Sequence, residues 1–427
     1  MDRREPQTVR LEGFDAHGTT RARTPGRWIE VEHGIPGEEV RVEISGSRRL
    51  HGRIIEILDA SPDRVEPECV YFRDWACGGC QWQHLSYASQ LRRKQEATES
   101  ELRAAGLDLA VSEVHAGNSW RYRSTAGISL GKHAGFHRRA SLAIVPIQDC
   151  PISHPLIGSL MGELNMQIAG GSLPDFRGRV QIDARVVGAP NAPNLQVLVR
   201  PDGERRPPEA SLETLVGCLA EVKAIQSILM IDVDGSVRTV RGELFQAAEI
   251  AGREVNLTAA AFSQTNLPLL ETLIDRLREA SAPLAGKRVA DVYGGTGVLG
   301  LFLAAEARAV TVIESDEIAL RAGILTAQQW GLRNVEFVCG RAEDVFQRAD
   351  FDVVIVDPPR AGLSAAVCET IARDRPPLVL YISCLPQSLA RDLVALTAHG
   401  YGVDTLELFD FYPQTYHTEL LAVLRLK

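Results

Sequence analysis

The sequence lacks any apolar run near the roughly 18 residues that a membrane-spanning helix needs, so a membrane protein built on such helices is not expected. It also lacks a basic excess. Forty-six Lys and Arg stand against 55 Asp and Glu, a net charge of −9, which argues against a surface that grips nucleic acid everywhere. The first 150 residues are charge-balanced and the remainder carries the whole acidic deficit, so a local basic face stays open in the first third. The opening MDRREPQTVR is charged, with no apolar stretch after it. A secretory signal is therefore not expected, and the cytoplasm is the expected compartment. No repeat or low-complexity tract is found. With 45% hydrophobic and 24% charged residues, whole-chain disorder, collagen and coiled coil are excluded. A length of 427 residues is that of about three domains.

Cysteine is where the composition becomes specific. Three of the 8 cysteines fall close together in ECVYFRDWACGGCQWQH, at Cys69, Cys77 and Cys80. Gly78 and Gly79 let the C-x-x-C turn curl so that two thiolates face one metal, with spare amides for the sulfurs. Cys150 in IQDCPISHP is the candidate fourth ligand. In a reducing compartment such a set points to metal rather than disulfides, and four thiolates suit zinc or an iron–sulfur cluster. Cys218, Cys339 and Cys368 sit in apolar stretches and read as core residues.

Period-2 alternation marks short strands at VRLEGFD, WIEVEHG, EEVRVEIS and HGRIIEIL, a small β-barrel over residues 5–60. Residues 88–106 read as a charged helix stopped at Gly106. Residues 121–255 are again strand-rich. From about residue 260, β-branched runs (RVADVYGG, AVTVIES, VEFVCG, DVVIVDPP, LVLYISC) alternate with helical periods, and YGVDTLELFD and TELLAVLRL supply two final strands. That alternation is an α/β, doubly wound, Rossmann-like parallel sheet. The expected division is a small barrel over 1–62, a central β-rich domain with the cysteine cluster over 63–255, and the α/β domain over 256–427.

DVYGGTGVLG ends the first strand of that sheet and opens a helix. Alone, such a glycine turn serves NAD, S-adenosylmethionine or nothing. Glu314 ends the next strand, where a carboxylate accepts ribose hydroxyls. Asp357-Pro358-Pro359-Arg360 follows the fourth strand, at the edge where open α/β sheets bind ligands. A D-P-P there looks more like a methyltransferase acting on a base than an NAD site. Cys384, in YISCLPQSLARD, ends the fifth strand beside Asp357. Carbon 5 of a pyrimidine is a poor nucleophile until a thiolate adds at carbon 6; a base must then remove the carbon 5 proton. Glu419, in FYPQTYHTEL, is the candidate base, with His417 a rival on the same strand face.

Together these motifs resemble the RNA 5-methyluridine methyltransferase family, most closely its bacterial 23S ribosomal RNA members with an iron–sulfur cluster. The resemblance runs through nearly the whole chain. Residues 5–60 are similar to a TRAM domain, an RNA-binding barrel. CGGCQWQH and QDCP resemble the ligand segments of a 4Fe-4S cluster, implying Cys69, Cys77, Cys80 and Cys150. AFSQTN and DVYGGTG resemble cofactor segments, implying Gln264, Tyr293 and Glu314 as S-adenosylmethionine contacts, with Asp357 contacting cofactor or base. DPPR, the S-C-x-P run and the F-x-P-Q-T-x-H-x-E run imply Cys384 as nucleophile and Glu419 as general base. The helix near 90–106 would pack on the catalytic domain. Three positions depart from the family pattern: Gly294 stands where a Cys is usual, Val298 where a small polar residue is usual, and Leu385 where an Asn is usual. The resemblance implies methylation of carbon 5 of a uridine in structured RNA, with 23S ribosomal RNA as the expected partner, no DNA or membrane partner, and a monomer. Methylation of tRNA, or an RNA-binding assembly factor with secondary catalysis, are the alternatives.

Overall fold

The computed structural model describes residues 5–15, 17–24, 26–74, 77–201, 206–348 and 350–427. The chain forms two compact units. One runs to Lys94 and takes in His137–Ser141 and Tyr412–Tyr416; the other comprises Gln95–Phe136, Leu142–Phe411 and His417–Lys427.

In the first unit the strands Gln7–Phe14, Thr20–Thr24, Arg27–Val31, Glu39–Ser45 and Leu50–Asp59 close into a five-stranded barrel. Alternation drives it: Val40, Val42 and Ile44 point inward and join Val9, Leu11, Ile29 and Val31 in its core, while the residues between them face out. Closure comes from Gln7–Phe14 pairing with Glu39–Ser45, Val9 opposite Val40. Glu38 ties the barrel to the chain that leaves it. Its carboxylate is fully buried and accepts from Ile35 N, Ser61 N and both prongs of Arg64. Such a bidentate pair is stable in a dry site only because every lone pair is used.

The second unit holds a seven-stranded sheet, an eight-stranded sheet and the small antiparallel pair Gln246–Ile250 and Arg253–Leu257. The seven-stranded sheet runs in the order Val237–Arg241, Ile225–Ile231, Asn194–Pro201, Val180–Val187, Thr125–Leu130, Ala134–His137, Ile144–Pro146. The eight-stranded sheet has Arg288–Val292 between Ala309–Glu314 and Val353–Val356, then Leu378–Ser383, with Val335–Cys339 at one edge. These five are parallel. The chain reverses its strand order at Arg288–Val292, so a ligand crevice opens at the carboxyl ends there. Glu419–Leu426 then enters antiparallel beside Leu378–Ser383, followed by Tyr401–Phe409.

Beyond Tyr401–Phe409 sits Glu113–His115, parallel to it. Three residues with no alternation to speak of gave no strand signal in the sequence. Leu102, near the end of the helix Tyr87–Ala104, packs in the same core as Val292, Val356, Tyr381 and Leu420. No described helix is long and apolar enough to cross a membrane.

Candidate active site

The crevice starts with the turn after Arg288–Val292. Tyr293 adopts a left-handed φ of 63° and Gly297 one of 73°, so the backbone doubles back before the helix Val298–Ala304. Gly294 N donates to Ile313 O and Gly297 N to Gly294 O. A side chain at Gly294 would press its Cβ to 2.9 Å from Val312 Cγ1 and 3.0 Å from Asp291 Cγ. Val312 therefore accounts for glycine at a position where a cysteine is usual. Beneath the turn lies Asp291, fully buried. Its Oδ2 accepts from Gly300 N at 2.9 Å, while Oδ1 has no partner among the described residues. Burial lifts its carboxyl to about 6, with Glu314 adding repulsion and the Gly300 N–H pulling back.

Glu314 ends the neighbouring strand and reaches over the turn. Its Oε2 accepts from Gly295 N at 3.0 Å; its Oε1 accepts from Ser315 N, Ser315 Oγ and Asp316 N. One acceptor position on Oε2 stays open for a hydroxyl. Gln264, Tyr293, Gly294, Gly295, Thr296 and Asp357 line one cleft. Gln264 hydrogen-bonds Asp357, and its Oε1 is buried without a partner among the described residues.

The segment carrying Gln264 is held by the seven-stranded sheet. Arg185, on Val180–Val187, donates to Ala261 O at 2.8 Å and to Ser263 Oγ. Ser124 Oγ donates to Thr265 O at 2.8 Å, and Thr125 Oγ1 to Thr265 Oγ1 at 3.0 Å. Burial pulls the Arg185 guanidinium down to about 10, which leaves it charged at neutral pH.

Sheet register brings the reactive groups together. Ser383 pairs with Leu420 on the antiparallel neighbour. Cys384 follows the first and Glu419 precedes the second, so they face each other across the strand pair. Asp357 follows Val356, which pairs with Tyr381, and completes the row. Glu419 is 2% exposed and its Oε1 has no partner among the described residues. Burial, then the charge of Asp357, raises its carboxyl well above the usual range. Asp357 is raised as well, by burial and by Asp291, against the hydrogen bond from Gln264. Burial pushes the half-buried Cys384 thiol up to about 11; Glu419 and Asp357 add repulsion and the Arg360 charge opposes them. His417 lies before the strand, which begins at Glu419, so the shared strand face expected for the two residues does not exist. Leu385 caps the helix Pro386–Ala398 with no side-chain bond. Ser383 and Ser388 hydroxyls donate to its carbonyl.

The other set of candidates is built on a loop of the first unit. Cys69 caps the one-turn helix Val70–Arg73. Cys77 N donates to Tyr71 O at 3.1 Å, which folds the second cysteine segment back on the first. Gly79 N donates to Cys77 Sγ at 3.4 Å, the kind of amide a ligating thiolate accepts. Gly78 N donates to His137 O, and a Cβ there would come within 3.0 Å of Arg139 Cα. Cys69 and Cys80 are buried and Cys77 partly so. Cys150 belongs to the second unit, where Arg121 grips its loop through both oxygens of Asp149 and the carbonyl of Cys150. Elsewhere, Glu113, His115 and Glu407 offer ligand atoms within 4.8 Å of one another. Both Glu407 oxygens, however, already accept from Arg276, and Oε2 also meets His115, so that group is an ion-pair network.

Asp291 and Arg185 carry much of this geometry and were not among the expected site residues. Only Asp291 has a local signal, as the acidic end of the strand before the glycine turn.

Comparison with known proteins completes the description. The sequence model of the tRNA (uracil-5-)methyltransferase family matches residues 241–427. An uncharacterised RNA methyltransferase of Thermosynechococcus vestitus is 30% identical over 97% of both chains. The 23S rRNA (uracil(1939)-C(5))-methyltransferase RlmD of Vibrio campbellii is 30% identical over 98% of this chain and 95% of its own. Among solved structures, the Pyrococcus abyssi tRNA (uracil-54, C5)-methyltransferase in complex with S-adenosyl-L-homocysteine superposes with a TM-score of 0.77 at 24% identity, covering 98% of this chain and 99% of that one.

Proposed function

The chain belongs to the RNA (uracil-5-)methyltransferase family and is an enzyme that methylates carbon 5 of uracil in RNA; we propose that it acts through a Cys384 adduct, with Glu419 as base, on 23S ribosomal RNA. The observation that carries the residue assignment is the facing of Cys384 and Glu419 across one strand pair, one strand from the cleft that Asp357 lines.

S-adenosylmethionine supplies a methyl group on a sulfonium, ready for attack. Gln264, Tyr293, Glu314 and Asp357 would hold it at the glycine turn. The Cys384 thiol, which burial, Glu419 and Asp357 hold protonated against the Arg360 charge, gives its proton to water and adds to carbon 6 of the flipped uracil. The electron pair of the 5,6 double bond moves to carbon 5, which takes the methyl group. Glu419, buried and short of partners, holds a proton more tightly than an ordinary carboxylate, which strengthens it as a base. It removes the carbon 5 proton, the double bond re-forms, and the carbon 6–sulfur bond breaks to return the thiolate.

We assign the barrel over 1–62 as a TRAM-like RNA grip, 63–255 as the central domain and 256–427 as the methyltransferase domain, acting in the cytoplasm. Cys69, Cys77, Cys80 and Cys150 would hold a 4Fe-4S cluster. The soft donor set and the Gly79 amide on Cys77 Sγ support this; a colourless, zinc-loaded protein purified without air would overturn it.

The target is tested with methyl-labelled S-adenosylmethionine and separate pools of unmodified 23S RNA and tRNA. Label in 5-methyluridine from the 23S pool, lost in Cys384→Ala, is expected. Label in the tRNA pool alone overturns the target and keeps the chemistry.

A further inference from the structure

Tyr381 lies three residues before Cys384 and is fully buried. Its hydroxyl donates to Asp392 Oδ2 at 2.6 Å. The same oxygen accepts from Leu363 N at 2.8 Å, in the loop that follows Asp357. Asp392 Oδ1 accepts from Arg391 Nε at 2.8 Å, and Arg391 Nη2 donates to Ala361 O at 2.8 Å. The loop itself is closed by Gly362 N donating to Pro359 O at 2.8 Å. Gly362 sits at φ +81°, and a Cβ there would fall 2.5 Å from both Asp392 Oδ2 and Arg391 Nη2. The contact is therefore built for a bare backbone. Two residues further on, Ser364 hydrogen-bonds Tyr293 of the cofactor turn and caps the helix Ala365–Asp374.

Asp392 is 4% exposed and rides on the helix Pro386–Ala398, which starts two residues after Cys384. One carboxylate thus binds three pieces: the strand before the nucleophile, the helix after it, and the loop after Asp357. Neither Asp392 nor Tyr381 lines the cofactor cleft, so binding the cofactor does not account for them. A buried charge costs several kcal/mol of desolvation unless its bonds are complete; here both oxygens are occupied, which makes the brace rigid.

We propose that Asp392 is a positioning residue, which through Tyr381 and Leu363 fixes the Cys384 turn against the Asp357 loop and so sets where the thiolate meets carbon 6. The inference rests on the Cys384 mechanism above. A shift of one ångström at the reacting atoms costs about a hundredfold in rate, and loss of one hydrogen bond in the brace should cost a part of that.

The test follows the trapped adduct. In transcripts of 23S RNA carrying 5-fluorouridine, carbon 5 has no proton to remove, so the enzyme stays covalently attached after methyl transfer. Single-turnover adduct formation, S-adenosylmethionine affinity by calorimetry and melting temperature are measured for wild type, Tyr381→Phe, Asp392→Asn and Asp392→Ala. We expect Tyr381→Phe to slow adduct formation about tenfold at saturating cofactor, with cofactor affinity within about twofold. Asp392→Asn, which keeps an acceptor oxygen, should recover part of the rate lost in Asp392→Ala. Unchanged adduct rates in folded Tyr381→Phe and Asp392→Ala, with only a lower melting temperature, would mean a purely structural brace and sink the proposal. A rate loss matched by an equal loss of cofactor affinity would sink it too. If wild type forms no adduct on the 23S or a tRNA transcript, the Cys384 mechanism itself fails, an outcome separate from the other two.

Discussion

The two ends of the crevice treat their acids in opposite ways. At the glycine turn, Glu314 accepts four hydrogen bonds and Asp291 holds Gly300 N. At the Cys384 end, Glu419 Oε1 is buried with no partner among the described residues, and the thiol opposite is pushed up to about 11. The first set is largely bonded before any ligand arrives: Glu314 orders the backbone through both oxygens, while Asp291 keeps one buried oxygen without a partner among the described residues. The second is left incomplete, so the missing partner is the substrate. A buried polar atom without a partner is costly, and its persistence marks a place where chemistry rather than stability sets the residue. Within one cleft, then, hydrogen-bond satisfaction separates Glu314, bonded through both oxygens, from Glu419, whose Oε1 has no partner among the described residues.

The sharpest way to break that contrast is Glu419→Gln. Removal of the base should slow release of the adduct about 10²–10⁴-fold, while Cys384 still adds. Denaturing gels with ordinary uridine RNA should show enzyme bound to RNA that wild type does not accumulate. Normal turnover would move the base to another residue.

A smaller effect concerns the thiol. Burial, and after it the charges of Glu419 and Asp357, disfavour a thiolate, so Cys384 should be alkylated with a midpoint near pH 11. Taking away one negative charge favours the ionised form. Glu419→Gln should therefore move the midpoint to lower pH, and Arg360→Ala to higher pH. Movement of both in one direction would show that charge is not what sets it.

The smallest effect is on stability, at the other end. The Asp291 carboxyl is raised in the fold to about 6, so the native state binds its proton more tightly than the unfolded chain. That contribution is present in full below about pH 4 and is lost as pH rises through about 6, on the order of 3 kcal/mol. Urea unfolding of wild type should weaken across this window. Asp291→Asn, which does not titrate, should flatten the loss; an unchanged pH slope would show that another group carries it.

The parts of this architecture legible in the sequence are those encoded locally. Val40, Val42 and Ile44 alternate and predict the barrel; the β-branched runs ending at Val292, Glu314 and Val356 predict the sheet. Cys384 and Glu419 are expected from the chemistry of carbon 5, which calls for a thiol and a base, and the sheet register sets them opposite one another. What could not be read depends on contacts far apart in sequence. Glu113–His115 is a strand only because Tyr401–Phe409 offers it an edge. Arg185 matters only because Ala261 and Ser263 lie against it. Asp392 is one more acid on an amphipathic helix until Tyr381 and Leu363 reach it. His417 was misplaced because alternation does not mark the residue at which a strand begins.

The reversed strand Glu419–Leu426 also has a meaning in time. A ribosome builds the chain from its first residue onward, and the last cleft-lining residue to emerge is Asp357. Glu419 follows roughly sixty residues later, about 3–12 s at ordinary elongation rates. During that interval the nascent polypeptide has the residues of the cleft and lacks the proposed base. Its catalytic row closes only when this strand slides between two neighbours already made, so an unfinished chain cannot complete the reaction on RNA close at hand.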